Sequence, residues 1–206
     1  MTPGTGDVDY LAVVRAQADV ARVAAQSREP QAVLDLLVIR LRALLRARQC
    51  FVILVGGDQR LRITASSGLS SPHREFLPRH DRDGIALTAM AERRAVSSAD
   101  VLNDPAIDLS PSSRRFIESK GYRGALAIPL LADTRVLGVL LAGRDRVGSF
   151  SPDQAEVARA FSDLATIALE RARLSSQEVA RTRLDEALVE VEREVLAELS
   201  AQRLFR

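Results

Sequence analysis

Cysteine, lysine and tryptophan are almost missing from this chain, and the gaps remove whole classes of function. Of 206 residues one is cysteine, Cys50, and none is tryptophan. A lone thiol leaves no internal disulfide and no cysteine metal cluster. Lys120 is the single lysine, so the basic residues are almost all arginine. With the alanine-rich composition this points to a GC-rich bacterial genome, a matter of codon usage. The net charge is only +2. Arg93-Arg94 and Arg114-Arg115 are basic pairs, but acids are interspersed and no basic stripe forms, so nucleic acid is not an expected partner. Long apolar runs are lacking too. Residues 51–55 and 136–142 fall far short of the roughly 20 residues needed to cross a bilayer, so no membrane insertion is expected. Residues 1–9 have neither the positive start nor the apolar run of a signal peptide, and a cytoplasmic location is expected. No P-loop, Gly-x-Ser-x-Gly or His-Glu-x-x-His occurs, so the expected protein is not an enzyme.

What the sequence does contain is the balance of a folded domain, with 47% hydrophobic and 27% charged residues. Residues 10–27 read as a helix in which Leu11, Val14, Ala18, Ala21 and Ala25 recur at steps of three and four, a heptad seam. Pro30 opens a second helix to about Arg48, with an apolar stripe of Val33, Leu34, Leu37, Leu41, Leu44 and Leu45. Residues 50–55 and 61–65 flank Gly56-Gly57-Asp58 and predict a hairpin. An irregular segment or short helix is expected over 66–82, then a helix over 84–94 and a short strand over 95–98. Asn103-Asp104-Pro105 marks a turn, and Ser110-Pro111 starts a helix that stops at Gly121. Residues 125–131 and 136–143 predict a second hairpin, in which Pro129 argues for an edge or a bulge. Ser151-Pro152-Asp153-Gln154 supplies an N-cap, a first-turn proline and a capping-box glutamine. No glycine or proline follows, which predicts a helix of about 50 residues, roughly 75 Å long. The order of elements calls for an α+β domain with an antiparallel sheet and helices at both ends.

The run Gly121-Tyr122-Arg123-Gly124-Ala125-Leu126-Ala127-Ile128-Pro129-Leu130, then Val136-Leu137-Gly138-Val139-Leu140 and Phe150-Ser151-Pro152-Asp153, resembles the C-terminal half of a GAF domain. The resemblance reaches back to about Ser27. It implies a tail over 1–9, an N-terminal dimerisation helix over 10–27, a GAF domain over 28–174 and a coiled-coil signalling helix over 175–206. It also implies a small-molecule pocket between the sheet and the connectors of residues 66–122. Relatives that bind cyclic nucleotides resemble one another through an Asn-Lys pair and a Phe-x-x-x-Asp-Glu. Here those pairs fall on Arg144-Asp145 and Gln154-Ala155, and only Phe150 remains, so that mode of binding is not expected. Phytochrome-like relatives attach a bilin to a cysteine before Ser-Pro; Leu109 stands there, and Ser113 stands where their histidine would be. Relatives that reduce free methionine sulfoxide need several cysteines. His73 and His80 lack paired ligand spacing, so neither a metal nor any other cofactor is expected. Cys50 reads as a small core residue.

For an unidentified small ligand, Asp100, Arg114, Phe116 and Tyr122 are the expected contacts, because they flank the connectors over the pocket. The alternative is a filled pocket, with Phe116 and Tyr122 as lid core and Asp100 and Arg114 at the surface. Leu184, Leu188, Val191 and Val195 continue an apolar stripe beyond the domain. With Leu11, Val14, Ala18 and Ala21 they are the expected interface of a homodimer. The resemblance implies a sensory input domain that signals through its helices to an output domain or partner after Arg206. The alternatives are a structural dimerisation module without a ligand, or a regulatory piece of a truncated histidine kinase, nucleotide cyclase or transcriptional regulator.

Overall fold

In the computed structural model, residues 8–27, 29–58, 60–68 and 83–204 are described, with side chains up to Arg181 and that of Arg183. The elements run α1 (Tyr10–Gln26), α2 (Pro30–Leu44), β1 (Gln49–Val55), β2 (Leu61–Ser67), α3 (Ile85–Glu92), β3 (Val96–Ser98), α4 (Pro111–Lys120), β4 (Gly124–Ala132), β5 (Arg135–Arg144) and α5 (Pro152–Leu204). The five strands form one antiparallel sheet in the order β2-β1-β5-β4-β3. This is the α+β architecture with an antiparallel sheet that the order of elements called for. By contacts the chain divides into two units, Met1–Ala168 and Leu169–Arg206. Among the described residues no helix is long and apolar enough to cross a membrane.

Local chemistry sets the element ends. Val8 is buried and the Asp9 carboxylate caps α1 by accepting from the Ala12 N–H at 3.0 Å, so these two residues belong to the helix start and not to the tail expected over 1–9. The rest of that tail lies outside the described residues. Val13, Ala16 and Val20 form the buried stripe of α1, while Leu11, Val14, Ala18 and Ala21 of the expected seam are exposed. The second helix stops at Leu44, four residues before the expected end. Arg46 takes a left-handed φ of 48°, and the Arg48 N–H already donates to the Gly143 carbonyl at the start of the sheet.

Pro129 sits in β4, which is flanked by β5 and by the three-residue β3. Because β3 pairs only as far as Ala127, no strand among the described residues lies on that side of β4 at Pro129, where the missing N–H costs no ladder bond. The Pro129 carbonyl instead accepts from the Ser162 hydroxyl of α5 at 3.0 Å. A register irregularity follows at Leu130/Leu131, so the edge and the bulge both occur.

At the head of α5, Ser151 Oγ accepts from the Gln154 N–H at 3.2 Å, and Gln154 Oε1 accepts from the Ser151 N–H at 3.1 Å, a reciprocal capping box. Arg144, at the end of β5, donates to Gln154 Oε1 at 2.7 Å and lies 4.0 Å from the Phe150 ring centroid, which ties the sheet to the helix start. The side chains of Leu184, Leu188, Val191 and Val195 lie outside the described set.

Candidate functional site

Alternation along the strands divides the sheet into two faces. One face carries Phe51 and Ile53 of β1, Val139 and Leu141 of β5, Ala125 and Ala127 of β4 and Val96 of β3. These pack with Ile85 and Ala89 of α3, Ile117 of α4 and Tyr122 in a single apolar cluster. The cluster is not completely filled. A cavity of about 60 Å³ remains in it. Its floor is the buried Phe51, Ile53, Leu141, Ile85, Ile117 and Tyr122. Its mouth is the half-buried Leu61, Asp83, Ala86, Leu87, Ser113 and Phe116. At roughly 10–15 Å³ for each water-sized occupant, the space holds about four to six non-hydrogen atoms.

Two helix starts meet at the mouth. Gly84, with φ 90°, turns the chain into α3; that left-handed conformation suits glycine, and no side chain caps the first turn. Asp83, just before it, reaches the start of α4. Its carboxylate accepts from the Ser110 N–H, and from the Ser113 hydroxyl at 2.7 Å. Desolvation pushes this carboxyl upward, but the bonds from the Ser110 backbone and from the Ser113 and Ser110 hydroxyls outweigh it and hold the group below the usual carboxylate range. The α4 dipole, positive at this end, works in the same direction. At neutral pH the mouth therefore carries a fixed negative charge. Gly121 closes α4, its N–H donating to the Ile117 carbonyl at 3.0 Å, and so delivers Tyr122 to the floor. The Tyr122 ring meets Phe51 edge-on at 6.5 Å, and burial raises its phenol well above the usual range, so the O–H remains a donor.

Of the four expected ligand contacts, Phe116 and Tyr122 line the cavity. Asp100 and Arg114 do not. Asp100 is held by Arg123, whose Nε donates at 2.7 Å and whose second nitrogen also bonds it, and by Asn103 at 2.9 Å. Those bonds depress its carboxyl to about 2. Arg114 is exposed on α4. Asp83 and Ser113 were not anticipated, although both stand beside helix-start signals legible in the sequence, Gly84 and Ser110-Pro111. Cys50 faces the other side of the sheet, fully buried, and burial pushes its thiol up to about 12. Among the described residues no cluster of three or more His, Cys, Asp or Glu is placed to hold a metal ion. His73 and His80 lie outside the described residues, as does most of the stretch 66–82 expected to be irregular or a short helix.

Residues 27–170 match the GAF domain family. No curated protein matches the chain in sequence. Several solved structures share the fold. The GAF domain of a phosphoenolpyruvate-protein phosphotransferase from Coxiella burnetii is 18% identical with a TM-score of 0.67, over 82% of this chain and 99% of that one. The free methionine-R-sulfoxide reductase of Neisseria meningitidis, solved with its substrate, is 19% identical with a TM-score of 0.66, over 84% and 98%. A phycoerythrobilin-bound GAF domain from a cyanobacterial phytochrome is 16% identical with a TM-score of 0.66, over 80% and 97%.

Proposed function

Because this chain belongs to the GAF domain family, we propose that it is a non-catalytic input domain of a bacterial signalling protein that works in the cytoplasm as a homodimer. A small molecule occupies the cavity between the sheet and α3–α4, and the signal leaves through α1 and α5 towards an output domain or a separate partner. The observation that carries this reading is the cavity itself: apolar, built from helix starts and strand centres, with a buried phenol on its floor. Its chemistry favours binding over turnover. The one cysteine is buried on the opposite face with its thiol pushed up to about 12, far from the thiolate that exchange chemistry requires. A tetrapyrrole is far larger than about 60 Å³. A ligand shifts the helices only by its difference in affinity for their two arrangements, so occupancy must alter packing at α3 or α4.

The test is native mass spectrometry of the chain purified from a bacterial cytosol. A stoichiometric small-molecule adduct is expected on the wild type, and none on Ile53→Trp, which fills the cavity. The same adduct on both, or none on either, overturns the reading. Light scattering addresses the dimer. The Leu188→Glu, Val191→Glu double variant should shift it towards monomer; a monomeric wild type, or a variant dimer of undiminished affinity, would remove that interface.

A second reading, a dimerisation module without a ligand, draws on the exposed apolar residues of α1: Tyr10, Leu11 and Val14 are 62%, 60% and 61% exposed. It predicts that filling the cavity leaves association unchanged.

A further inference from the structure

Four residues from four strands stand in one row across the cavity face of the sheet. Gln49 of β1 pairs with Gly143 of β5, Gly143 with Ala125 of β4, and Ala125 with Ser98 of β3. The two central residues are small and the two outer ones polar. Tyr122 lies over the centre: a Cβ on residue 143 would sit 3.0 Å from Tyr122 Cβ and Cγ and 3.3 Å from Gln49 Cγ, so the ring needs glycine beneath it and packs beside the Gln49 side chain. Gln49 and Ser98 are 1% and 2% exposed, and neither Gln49 Nε2 nor Ser98 Oγ has a partner among the described residues. The Tyr122 hydroxyl, on a residue 3% exposed, likewise has none among them.

The row and the ring over it thus gather hydrogen-bonding groups that can all donate: a phenol, a primary amide and a hydroxyl. Of these three residues Tyr122 alone lines the cavity, so its hydroxyl is the donor that an acceptor from outside the chain can reach. The first turn of α3, which no side chain caps among the described residues, borders the same cavity at Ala86 and Leu87. The mouth has the opposite character, because Asp83 is ionised there and repels anions. The walls between are apolar.

We propose that the cavity binds a small uncharged molecule of about four to six non-hydrogen atoms, an aliphatic body bearing one carbonyl-type oxygen that accepts from the Tyr122 end. The size follows from about 10–15 Å³ for each water-sized occupant. This rests on the reading of the cavity as a ligand site. Anions of the same shape are rejected by Asp83, and hydrocarbons leave the Tyr122 hydroxyl unpaired.

Isobutyramide and isobutyrate make the test, since they share shape and size and differ in charge. Methyl-resolved NMR titration of the full chain, following Ile53, Ile85 and Leu141, is expected to show saturable shifts with isobutyramide and at least tenfold weaker binding of isobutyrate. Tyr122→Phe keeps the ring packing and should weaken isobutyramide at least fivefold. The substitution Asp83→Asn should narrow the gap between the two probes. Tighter or equal binding of isobutyrate, unchanged binding by Tyr122→Phe, or shifts centred away from the three methyl-bearing residues overturns the inference. Isobutyrate binding in the cavity would do so while leaving the ligand-site reading intact. Binding of neither probe also overturns it, and the ligand-site reading then stands or falls on the adduct experiment alone.

Discussion

On the side of the sheet that faces α2 and the head of α5, the strands present Cys50, Val52, Leu126, Ile128, Leu130, Leu140 and Ala142, none more than 2% exposed. Leu34, Leu37 and Leu41 of α2 and Phe161 of α5 are equally buried there. On the side that faces α3 and α4, the same strands surround a cavity of about 60 Å³ and bury Gln49 Nε2 and Ser98 Oγ without partners among the described residues. A void forfeits dispersion contacts, and an unpaired buried donor costs about 1–3 kcal/mol. The filled face therefore stabilises the fold, while the cavity face leaves packing and hydrogen-bonding groups unused at some expense of stability.

The sharpest way to break that contrast is to truncate one large residue on each face. Phe161→Ala is expected to cost about 3–5 kcal/mol and Leu141→Ala about 2–3 kcal/mol, because the second widens a space that already exists. Urea denaturation measures both, and an equal or larger loss at Leu141 would show the cavity face to be as well packed as the other. Overpacking probes the cavity face from the other direction. Gly143→Ala brings a Cβ to 3.0 Å from the Tyr122 side chain and is expected to cost about 1–3 kcal/mol. Gly57→Ala, with nothing within 4 Å, should stay within about 0.5 kcal/mol. Similar values from the two would mean that Tyr122 is free to move aside.

The charge at the mouth sets a pH dependence. Asp83 is held below its ordinary 3.8 in the folded chain, so its contribution is fully present above that value and is lost as pH falls through the lower folded pKa. Asp83→Asn should therefore be less stable than wild type by on the order of 1 kcal/mol at pH 7, with the gap closing below about pH 4. Asp100, depressed to about 2, has the same sign and loses its contribution between its ordinary 3.8 and about 2. Denaturation midpoints of wild type and Asp83→Asn between pH 7 and pH 2 check the direction; a gap that widens on acidification contradicts it. The smallest expected effect lies on α1, outside both faces. Replacing exposed Leu11 and Val14 with Glu should change chain stability by no more than about 0.5 kcal/mol. A loss above about 1.5 kcal/mol would mean that this stripe covers part of the folded chain.

How legible each feature was in the sequence follows from the range of the interactions behind it. Ser110-Pro111 and Gly121 bound α4 as expected, and Ser151 with Gln154 makes the capping box, because these bonds join residues three or four apart. The end of α2 was misjudged by four residues, since the chain must turn at Arg46 to bring Arg48 and Gln49 to Gly143, almost a hundred positions away. Phe116 and Tyr122 were reachable as members of connectors over the pocket. Asp100 was drawn off by Arg123 and Asn103, and Arg114 by the outward face of α4. The Arg123 bond joins residues 23 positions apart and has no local signature. Asp83 is legible only as a residue before a glycine, and its role depends on α4 arriving beside it.

By itself the sequence determined the set of helices and strands, their caps and turns, and the ordered motifs that mark the family, all of which act over a few residues or one period of a helix or strand. Only the tertiary structure decided which strand lies beside which, and with that the row of Gln49, Gly143, Ala125 and Ser98, the seat of Tyr122 over it and the cavity above. The reason is cooperative. Cross-strand register comes from many weak pairings between distant segments, and no single residue carries enough of that energy to announce the arrangement in advance.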